Sequence, residues 1–166
     1  MPVERRRYYW DTNIFLHYLE GTPEYAVTIA ELLERASGEG LIEIITSTLT
    51  ISETAFAAWE RTHGRLDAGV KSAMDSLWAD QSVVNLVEVS SIIAEDARDL
   101  MRSMLPDKPP PGWKGLRSPD AIHLATAARQ KVAEFHTYDK GLDKYSAQFS
   151  FTIGPLPSLP HQLPLA

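Results

Sequence analysis

The sequence predicts an α/β domain whose central sheet has about five, mostly parallel strands, with helices covering both faces. Short segments rich in β-branched and aromatic residues alternate along the chain with longer segments whose apolar residues recur at helical spacing. Acidic residues directly follow several of the short segments or stand in the first turns of the longer ones. Because open parallel sheets place their ligands at the carboxyl ends of the strands, this pattern predicts a functional site at that edge.

The segment 118–142 shows the pattern most clearly. Ser118 is a suitable helix cap, Pro119 fits the first helical position, and Asp120 then falls in the first turn, where the helix dipole favours an anion. A short strand follows and ends just before Asp139. The helical spacing predicts an inward stripe formed by Ala121, Leu124, Ala125, Ala128 and Val132.

The remaining elements continue the same alternation without a repeat. We predict a single domain over residues 1–153, with a Pro-rich surface loop at 106–117 and a Pro-rich tail at 154–166. Strands are predicted at residues 7–10, 41–46, 83–89, 133–138 and 149–153, and helices after Asp11, from Thr22, from Ser47 or Thr48, at 67–79, from Ser90 and from Ser118.

The composition limits the class of protein. The 166 residues are 44% hydrophobic and 23% charged, as in an ordinary globular domain. A net charge of −6 argues against a protein that coats nucleic acid with a broad basic face, although it leaves room for an acidic, metal-binding site. The chain has no cysteine and no apolar run near the roughly 20 residues of a membrane span. We therefore expect a cytoplasmic protein without a membrane partner.

Four acids are candidates for the predicted site: Asp11, Glu53, Asp120 and Asp139. Two carboxylates at roughly 4 Å repel each other by on the order of 1 to 4 kcal/mol, so a fold that gathers four of them calls for a cation. Oxygen ligands without a thiolate or a paired histidine suit Mg²⁺ or Mn²⁺. Such an ion supports hydrolysis of a phosphodiester, and Asn13 is placed to orient a water molecule or a carboxylate.

The ordered motifs around these acids resemble those of the PIN-domain nucleases over about residues 9–153. They are Asp11-Thr12-Asn13, TSTLTISETAF around Glu53, SPDAIHLATA around Asp120, and TYD ending at Asp139. The resemblance implies an α/β/α sandwich and Mg²⁺- or Mn²⁺-dependent endoribonuclease activity, with the four acids as metal ligands and catalytic residues, together with Asn13. Within that family the chain looks most like the VapC-type toxins of prokaryotic toxin–antitoxin pairs. These are commonly homodimers that an antitoxin silences by reaching into the acidic site.

The sequence leaves two alternative functions open. One is a PIN-domain nuclease of RNA processing or decay without an antitoxin. The other is a catalytically inactive module that binds RNA or a protein partner. The presence of all four acids argues against the inactive module, because degenerate members are expected to lose at least one.

Several single residues also have two interpretations. Asp143 competes with Asp139 for the role of fourth acid. His123 is interpreted as a packed or hydrogen-bonded residue of the helix and not as a metal ligand. Phe56 and Trp59, at helical spacing, are predicted to lie in the core or in a dimer face. The cations that flank the acids contact the RNA backbone or form a solvated rim; they are Lys108, Lys114, Arg117, Lys140 and Lys144.

Overall fold

The central sheet of the computed structural model, which describes residues 5–38, 40–65 and 68–156, is parallel throughout. Its strands are β1 (Arg6–Trp10), β2 (Ile42–Ser47), β3 (Val84–Val87), β4 (Glu134–His136) and β5 (Thr152–Gly154). Their order across the sheet is β3-β2-β1-β4-β5. The predicted sheet of about five mostly parallel strands is therefore confirmed.

Helices follow the strands and cover both faces of the sheet. They are α1 (Thr12–Glu20), α2 (Pro23–Gly38), α3 (Leu49–Arg61), α4 (Ala68–Ala79), α5 (Ser91–Ser103) and α6 (Ser118–Arg129), and a 3₁₀ helix spans Asp143–Gln148. Parallel strands need such crossovers because a tight hairpin cannot join them. The predicted three-layer α/β/α arrangement is confirmed. Within the described residues, no helix is long and apolar enough to cross a membrane.

The central strand β1 shows how the two cores form. Tyr8 and Trp10 belong to the core on one face, which they share with Phe15 of α1. Tyr9 points to the opposite face, where it packs with Leu124 of α6 and with Phe135 of β4. These three aromatic residues of the strand are at most 1% exposed. A run of three large aromatic residues is therefore stable here, because both faces of a parallel sheet are buried.

The strand order reverses at β1. The chain adds β2 and β3 on one side of β1, and β4 and β5 on the other. The pair β1–β4 is therefore the switch point at which doubly wound sheets open a crevice beyond their carboxyl ends. Asp11 follows β1 at this point, and Thr137 follows β4. The acid predicted at the end of β1 consequently lies at the mouth of the crevice.

The predicted cap and stripe of α6 are wrong in part. Arg117 occupies the cap position, and the hydroxyl of Ser118 lies 3.7 Å from the sulfur of Met101 instead of binding the helix terminus. Ala128 is exposed, and the neighbouring Ala127 is fully buried in its place. The helix ends at Arg129, so the buried Val132 lies beyond it. Helical spacing alone does not fix which side of the helix faces the sheet.

Three strands are shorter than predicted. The ranges 83–89, 133–138 and 149–153 correspond to Val84–Val87, Glu134–His136 and Thr152–Gly154. In the last range, pairing with β4 begins only at Thr152. The preceding Phe149 and Phe151 instead stack their rings with centroids 4.7 Å apart, which fills the core beside the sheet.

The ordered chain continues past the predicted domain end at residue 153. Gly154 belongs to β5, and Leu156 is buried against the core that contains Tyr8. Residues 157–166 of the predicted tail lie outside the described residues, as does residue 67 at the predicted start of a helix.

Candidate active site

Asp11 is held at the carboxyl end of β1 by three hydrogen bonds. Its Oδ1 accepts from the backbone N–H of Thr12 at 2.8 Å, as a cap of α1. Its Oδ2 accepts from Asn13 Nδ2 at 3.0 Å and from the hydroxyl of Thr137 at 2.7 Å. The side chain is nevertheless buried, and desolvation raises the pKa of Asp11 despite the opposing effect of His123 and of these donors. The carboxyl group is thus geometrically fixed, and its burial disfavours the charged form.

Asn13 connects the ends of β1 and β4. Besides the bond to Asp11, its Nδ2 lies 2.9 Å from the Thr137 hydroxyl oxygen. Its Oδ1 accepts from the backbone N–H of Tyr138 at 3.0 Å. Asn13 therefore orients a carboxylate, which is one of the two roles that the sequence suggests for it. It also fixes the backbone that leads into Asp139.

Glu53 projects from α3 and is held by two neighbours. Its Oε2 accepts from the hydroxyl of Thr12 at 2.5 Å and lies 2.7 Å from Nε2 of His123. Burial favours the neutral carboxyl, but the hydrogen bond and charge of His123, the bond from Thr12 and the charge of Arg117 together lower the pKa of Glu53. Glu53 is therefore an ionised carboxylate paired with an imidazole.

His123 is a packed and hydrogen-bonded residue of α6, as the sequence interpretation predicts, although the sequence did not identify its partners. It is 1% exposed, and its Nδ1 lies 2.7 Å from the hydroxyl oxygen of Tyr9. That hydroxyl accepts from the backbone N–H of Ser47 at 3.0 Å, so its proton is free to go to Nδ1 while Nε2–H donates to Glu53. Its position three residues after Asp120 places the two residues on the same face of α6, because residues at that spacing share a helix face.

The same imidazole also lies close to Asp11. Its Nε2 is 3.8 Å from Asp11 Oδ1. Burial acts to lower the pKa of His123, but the hydrogen bond to Glu53 and the charges of Asp11, Glu53 and Asp120 raise it overall. His123 thus faces three of the four predicted acids from one buried position.

Asp120 lies in the first turn of α6 and is paired with Arg117. The guanidinium approaches both carboxylate oxygens, with Nε 2.9 Å from Oδ2 and Nη2 3.4 Å from Oδ1. The Asp120 side chain is 16% exposed and the Arg117 side chain is 73% exposed. The charge of Asp120 also acts on the buried Asp11. The third predicted acid therefore faces the same crevice, with a solvent-exposed cation above it.

Asp139 follows β4 and is held by its own turn. Its backbone N–H donates to the hydroxyl of Thr137 at 3.0 Å, and its Oδ1 accepts from the N–H of Gly141 at 2.8 Å. Its charge contributes to the raised pKa of Arg117. The rival Asp143 is exposed at the start of the 3₁₀ helix. This geometry favours Asp139 over Asp143 as the fourth acid of the site.

Two basic side chains show that the four acids share one electrostatic environment. The pKa of Arg117 is raised by its hydrogen bond with Asp120 and by the charges of Asp120, Asp139 and Glu53. Asp11, the remaining acid, acts on His123 together with Glu53 and Asp120. These charge effects link acids from four separate segments, and their assignment as the residues of one site stays a prediction.

The donor chemistry of this edge fits a hard divalent cation. The acids offer oxygen atoms, and a nearby cation would offset the desolvation of the buried Asp11 carboxylate. Within the described ranges, no group of three acidic or histidine side chains is spaced as a ready-made ion site. In this structure the Glu53 carboxylate contacts His123 and the Asp120 carboxylate contacts Arg117. A bound ion would compete with these two basic side chains for the carboxylate oxygens.

Phe56 and Trp59 lie on the outer surface of α3, beyond Glu53. They are 61% and 54% exposed, so the interpretation that they belong to the core is wrong. Their rings lie 6.5 Å apart. The alternative interpretation, a dimer face, remains a prediction.

The fold and the acidic edge define a class of parallel α/β proteins with a carboxylate site at the switch point. Comparison of the sequence with protein families finds the PIN domain over residues 8–148. The chain belongs to the PIN domain family. No curated protein sequence matches it significantly.

Solved structures of low sequence identity share the fold. VapC20 of Mycobacterium tuberculosis, a Sarcin-Ricin loop cleaving toxin, is 15% identical in sequence with a TM-score of 0.60. The match covers 86% of this chain and 95% of the VapC20 chain. VapBC2 of Rickettsia felis, bound to a DNA fragment from its promoter, is 12% identical with a TM-score of 0.60, covering 91% and 99%. A toxin–antitoxin complex from Klebsiella pneumoniae is 22% identical with a TM-score of 0.52, covering 83% and 89%.

Proposed function

We propose that this protein is a Mg²⁺- or Mn²⁺-dependent endoribonuclease of the VapC type, the toxin of a toxin–antitoxin pair. The observation that carries the proposal is the gathering of four carboxylates around His123 and Arg117 at the switch point of a PIN-domain sheet. The similar structures support the toxin assignment, since one is a Sarcin-Ricin loop cleaving toxin and another is a toxin–antitoxin complex.

The proposed metal ligands are Asp11, Glu53, Asp120 and Asp139. A divalent ion held by carboxylates polarises a phosphoryl oxygen and lowers the pKa of a bound water molecule. Asn13 and Thr137 fix the Asp11 carboxylate, so that its orientation does not have to be set when the substrate binds. We assign Asn13 a positioning role within the catalytic set.

His123 positions a second carboxylate of the proposed set. Its ring is fixed on one side by Tyr9, and its other nitrogen holds Glu53. The contact couples α6, which carries Asp120, to α3. A movement of α6 would therefore displace Glu53 of α3 as well as Asp120.

The proposed partners are an RNA substrate, an antitoxin protein and a second copy of this chain. The antitoxin is proposed to cover the acidic edge. Phe56 and Trp59 supply an apolar surface suited to the homodimer, because exposed clusters of large apolar side chains favour association. We place the protein in the cytoplasm, where its RNA substrates are found.

The test is RNA cleavage by the purified full chain with Mn²⁺, with Mg²⁺ and with EDTA. Asp120→Asn is compared with Asp143→Asn, which makes the same charge change at the exposed rival acid. The proposal is supported if cleavage requires the ion, is lost in Asp120→Asn and survives in Asp143→Asn. That result would also support Asp120 as a metal ligand. Cleavage that persists in EDTA or in Asp120→Asn contradicts the proposed site.

A second experiment distinguishes the toxin from the two alternatives. Expression of the chain in bacteria is expected to arrest growth. The toxin hypothesis also predicts a small gene overlapping this one upstream, whose co-expression is expected to restore growth. Metal-dependent cleavage without arrest indicates a processing nuclease. RNA binding without cleavage, tested on structured transfer and ribosomal RNA as well as on simple oligonucleotides, indicates the inactive module.

A further inference from the structure

The guanidinium of Arg117 occupies the outer side of the acidic site. It approaches both oxygens of Asp120, at 2.9 and 3.4 Å, in the forked geometry that suits a carboxylate. The guanidinium carries the positive charge nearest to Asp120, and the charges of Asp139 and Glu53 act on it as well. A single exposed cation therefore interacts with three of the four proposed metal ligands.

The requirements of helix α6 do not explain an arginine at this position. Arg117 is the cap residue of the helix, where a side-chain acceptor is favourable, and a guanidinium has none. A positive charge at a helix N-terminus is also opposed by the helix dipole. The favourable partners of this side chain are instead the acids of the crevice.

We propose that Arg117 is an exchangeable counter-ion of the acidic site, which competes with the divalent cation for Asp120. This inference rests on the proposed metal-dependent function. Two features support exchange over a permanent pair. The guanidinium side chain is 73% exposed, so it can return to water with little loss, whereas the carboxylate it covers is only 16% exposed and stays in the crevice. A divalent ion at Asp120 would replace the single charge of the guanidinium with two.

The competition predicts that removing the guanidinium strengthens metal binding. The affinity for Mn²⁺ is measured by isothermal titration calorimetry on the full chain, without RNA, for the wild type, Arg117→Gln, Arg117→Lys and Lys114→Gln. The control Lys114→Gln removes the same charge from the same loop at an exposed residue three positions earlier. For an ion pair of this exposure, Arg117→Gln is expected to bind Mn²⁺ about three- to fivefold more tightly than the wild type.

The two remaining variants separate local pairing from general charge. Lys114→Gln is expected to stay within about twofold of the wild type, because screening weakens the effect of a distant exposed charge. Arg117→Lys, which keeps the charge but loses the fork, is expected to fall between the wild type and Arg117→Gln. An unchanged or weaker affinity in Arg117→Gln overturns the proposal, and so does an equal gain in Lys114→Gln.

A double variant tests whether the effect acts through Asp120. In the Asp120→Asn background, adding Arg117→Gln is expected to leave the Mn²⁺ affinity unchanged within about twofold, as a double-mutant cycle requires for a direct pair. A gain as large as in the wild-type background contradicts competition for Asp120. If the wild type binds Mn²⁺ and Arg117→Gln binds it equally well, only the counter-ion role fails. If neither protein binds Mn²⁺, the proposed metal-dependent function fails together with it.

Discussion

His123 and Glu53 form a pair in which the imidazole Nε2 lies 2.7 Å from the carboxylate Oε2, with the imidazole buried and the Glu53 side chain 26% exposed. The imidazole comes from α6 and the carboxylate from α3, so the contact joins helices from two separate segments of the chain. The opposite nitrogen is engaged by the Tyr9 hydroxyl of the central strand. A chain of side-chain contacts therefore runs from the middle of the sheet to the acidic edge.

Replacing His123 with alanine is expected to destabilise the fold by about 1 to 3 kcal/mol, because Tyr9 and Glu53 lose a buried partner. The free energy of unfolding is measured by urea denaturation near neutral pH. His63→Asn is the control, since His63 is exposed and its backbone φ of 51° is one that asparagine tolerates. The control is expected to change stability by less than about 0.5 kcal/mol. Equal stability of the wild type and His123→Ala would contradict a structural role for the pair.

The pH dependence of stability follows from the same pair. The folded-state pKa of His123 is raised above 6.5, so its contribution is complete below that pH and is lost as the pH rises through the raised value. The folded-state pKa of Glu53 is lowered below 4.5, so its contribution is complete above that pH and is lost as the pH falls through the lowered value. The stabilisation by the pair is therefore greatest between these two limits.

The alkaline side of this profile is the more specific test. Between about pH 6 and about pH 9, the free energy of unfolding of the wild type is expected to fall more steeply than that of His123→Gln. Urea unfolding at a series of pH values without added metal measures both slopes. Parallel profiles over this range would show that His123 does not gain a proton-linked interaction on folding.

The sequence predicted the fold well because its signals are local. Helical spacing, caps such as Ser90 and the buried aromatic run of β1 each identify an element without its neighbours. The short strands β4 and β5 were overextended, since a sequence segment does not show where pairing begins. In β5 the first paired residue, Thr152, is set by the register with β4 and not by the apolar residues before it.

The acids of the site were predictable, whereas their partners were not. Asp11 and Asp120 carry positional signals, because one follows a strand and the other opens a helix. The contacts of Glu53 with His123 and with Thr12 join residues 70 and 41 positions apart. No spacing rule on one element reveals such pairs. They depend on how α3 and α6 meet over the end of β1.

Gly141 provides a test of Asp139 that leaves its carboxylate chemically intact. A Cβ at position 141 would lie 2.9 Å from Asp139 Oδ1, so an alanine must move this short, flexible side chain. Gly141→Ala is therefore expected to weaken Mn²⁺ binding by at least about fivefold, while the free energy of unfolding changes by less than about 1 kcal/mol. Gly154→Ala is the control, because its added Cβ meets nothing within 4 Å. Unchanged Mn²⁺ affinity in Gly141→Ala would argue against Asp139 as a ligand.

The exposed rings of α3 give a prediction about association. Phe56 and Trp59 are 61% and 54% exposed, so replacing both with serine removes more exposed than buried surface from the single chain. The double variant Phe56→Ser, Trp59→Ser is expected to lower the unfolding free energy of a monomer by no more than about 4 kcal/mol and to weaken the proposed homodimer at least about tenfold.

Sedimentation equilibrium over a range of protein concentrations measures the dimer affinity of both proteins. Val27→Ser is the control, because Val27 is 69% exposed on α2 and lies outside the Phe56 and Trp59 pair. The control is expected to dimerise as the wild type does. If the double variant dimerises as well as the wild type, the interface lies elsewhere. If the wild type stays monomeric at every concentration, the homodimer is removed from the proposed function.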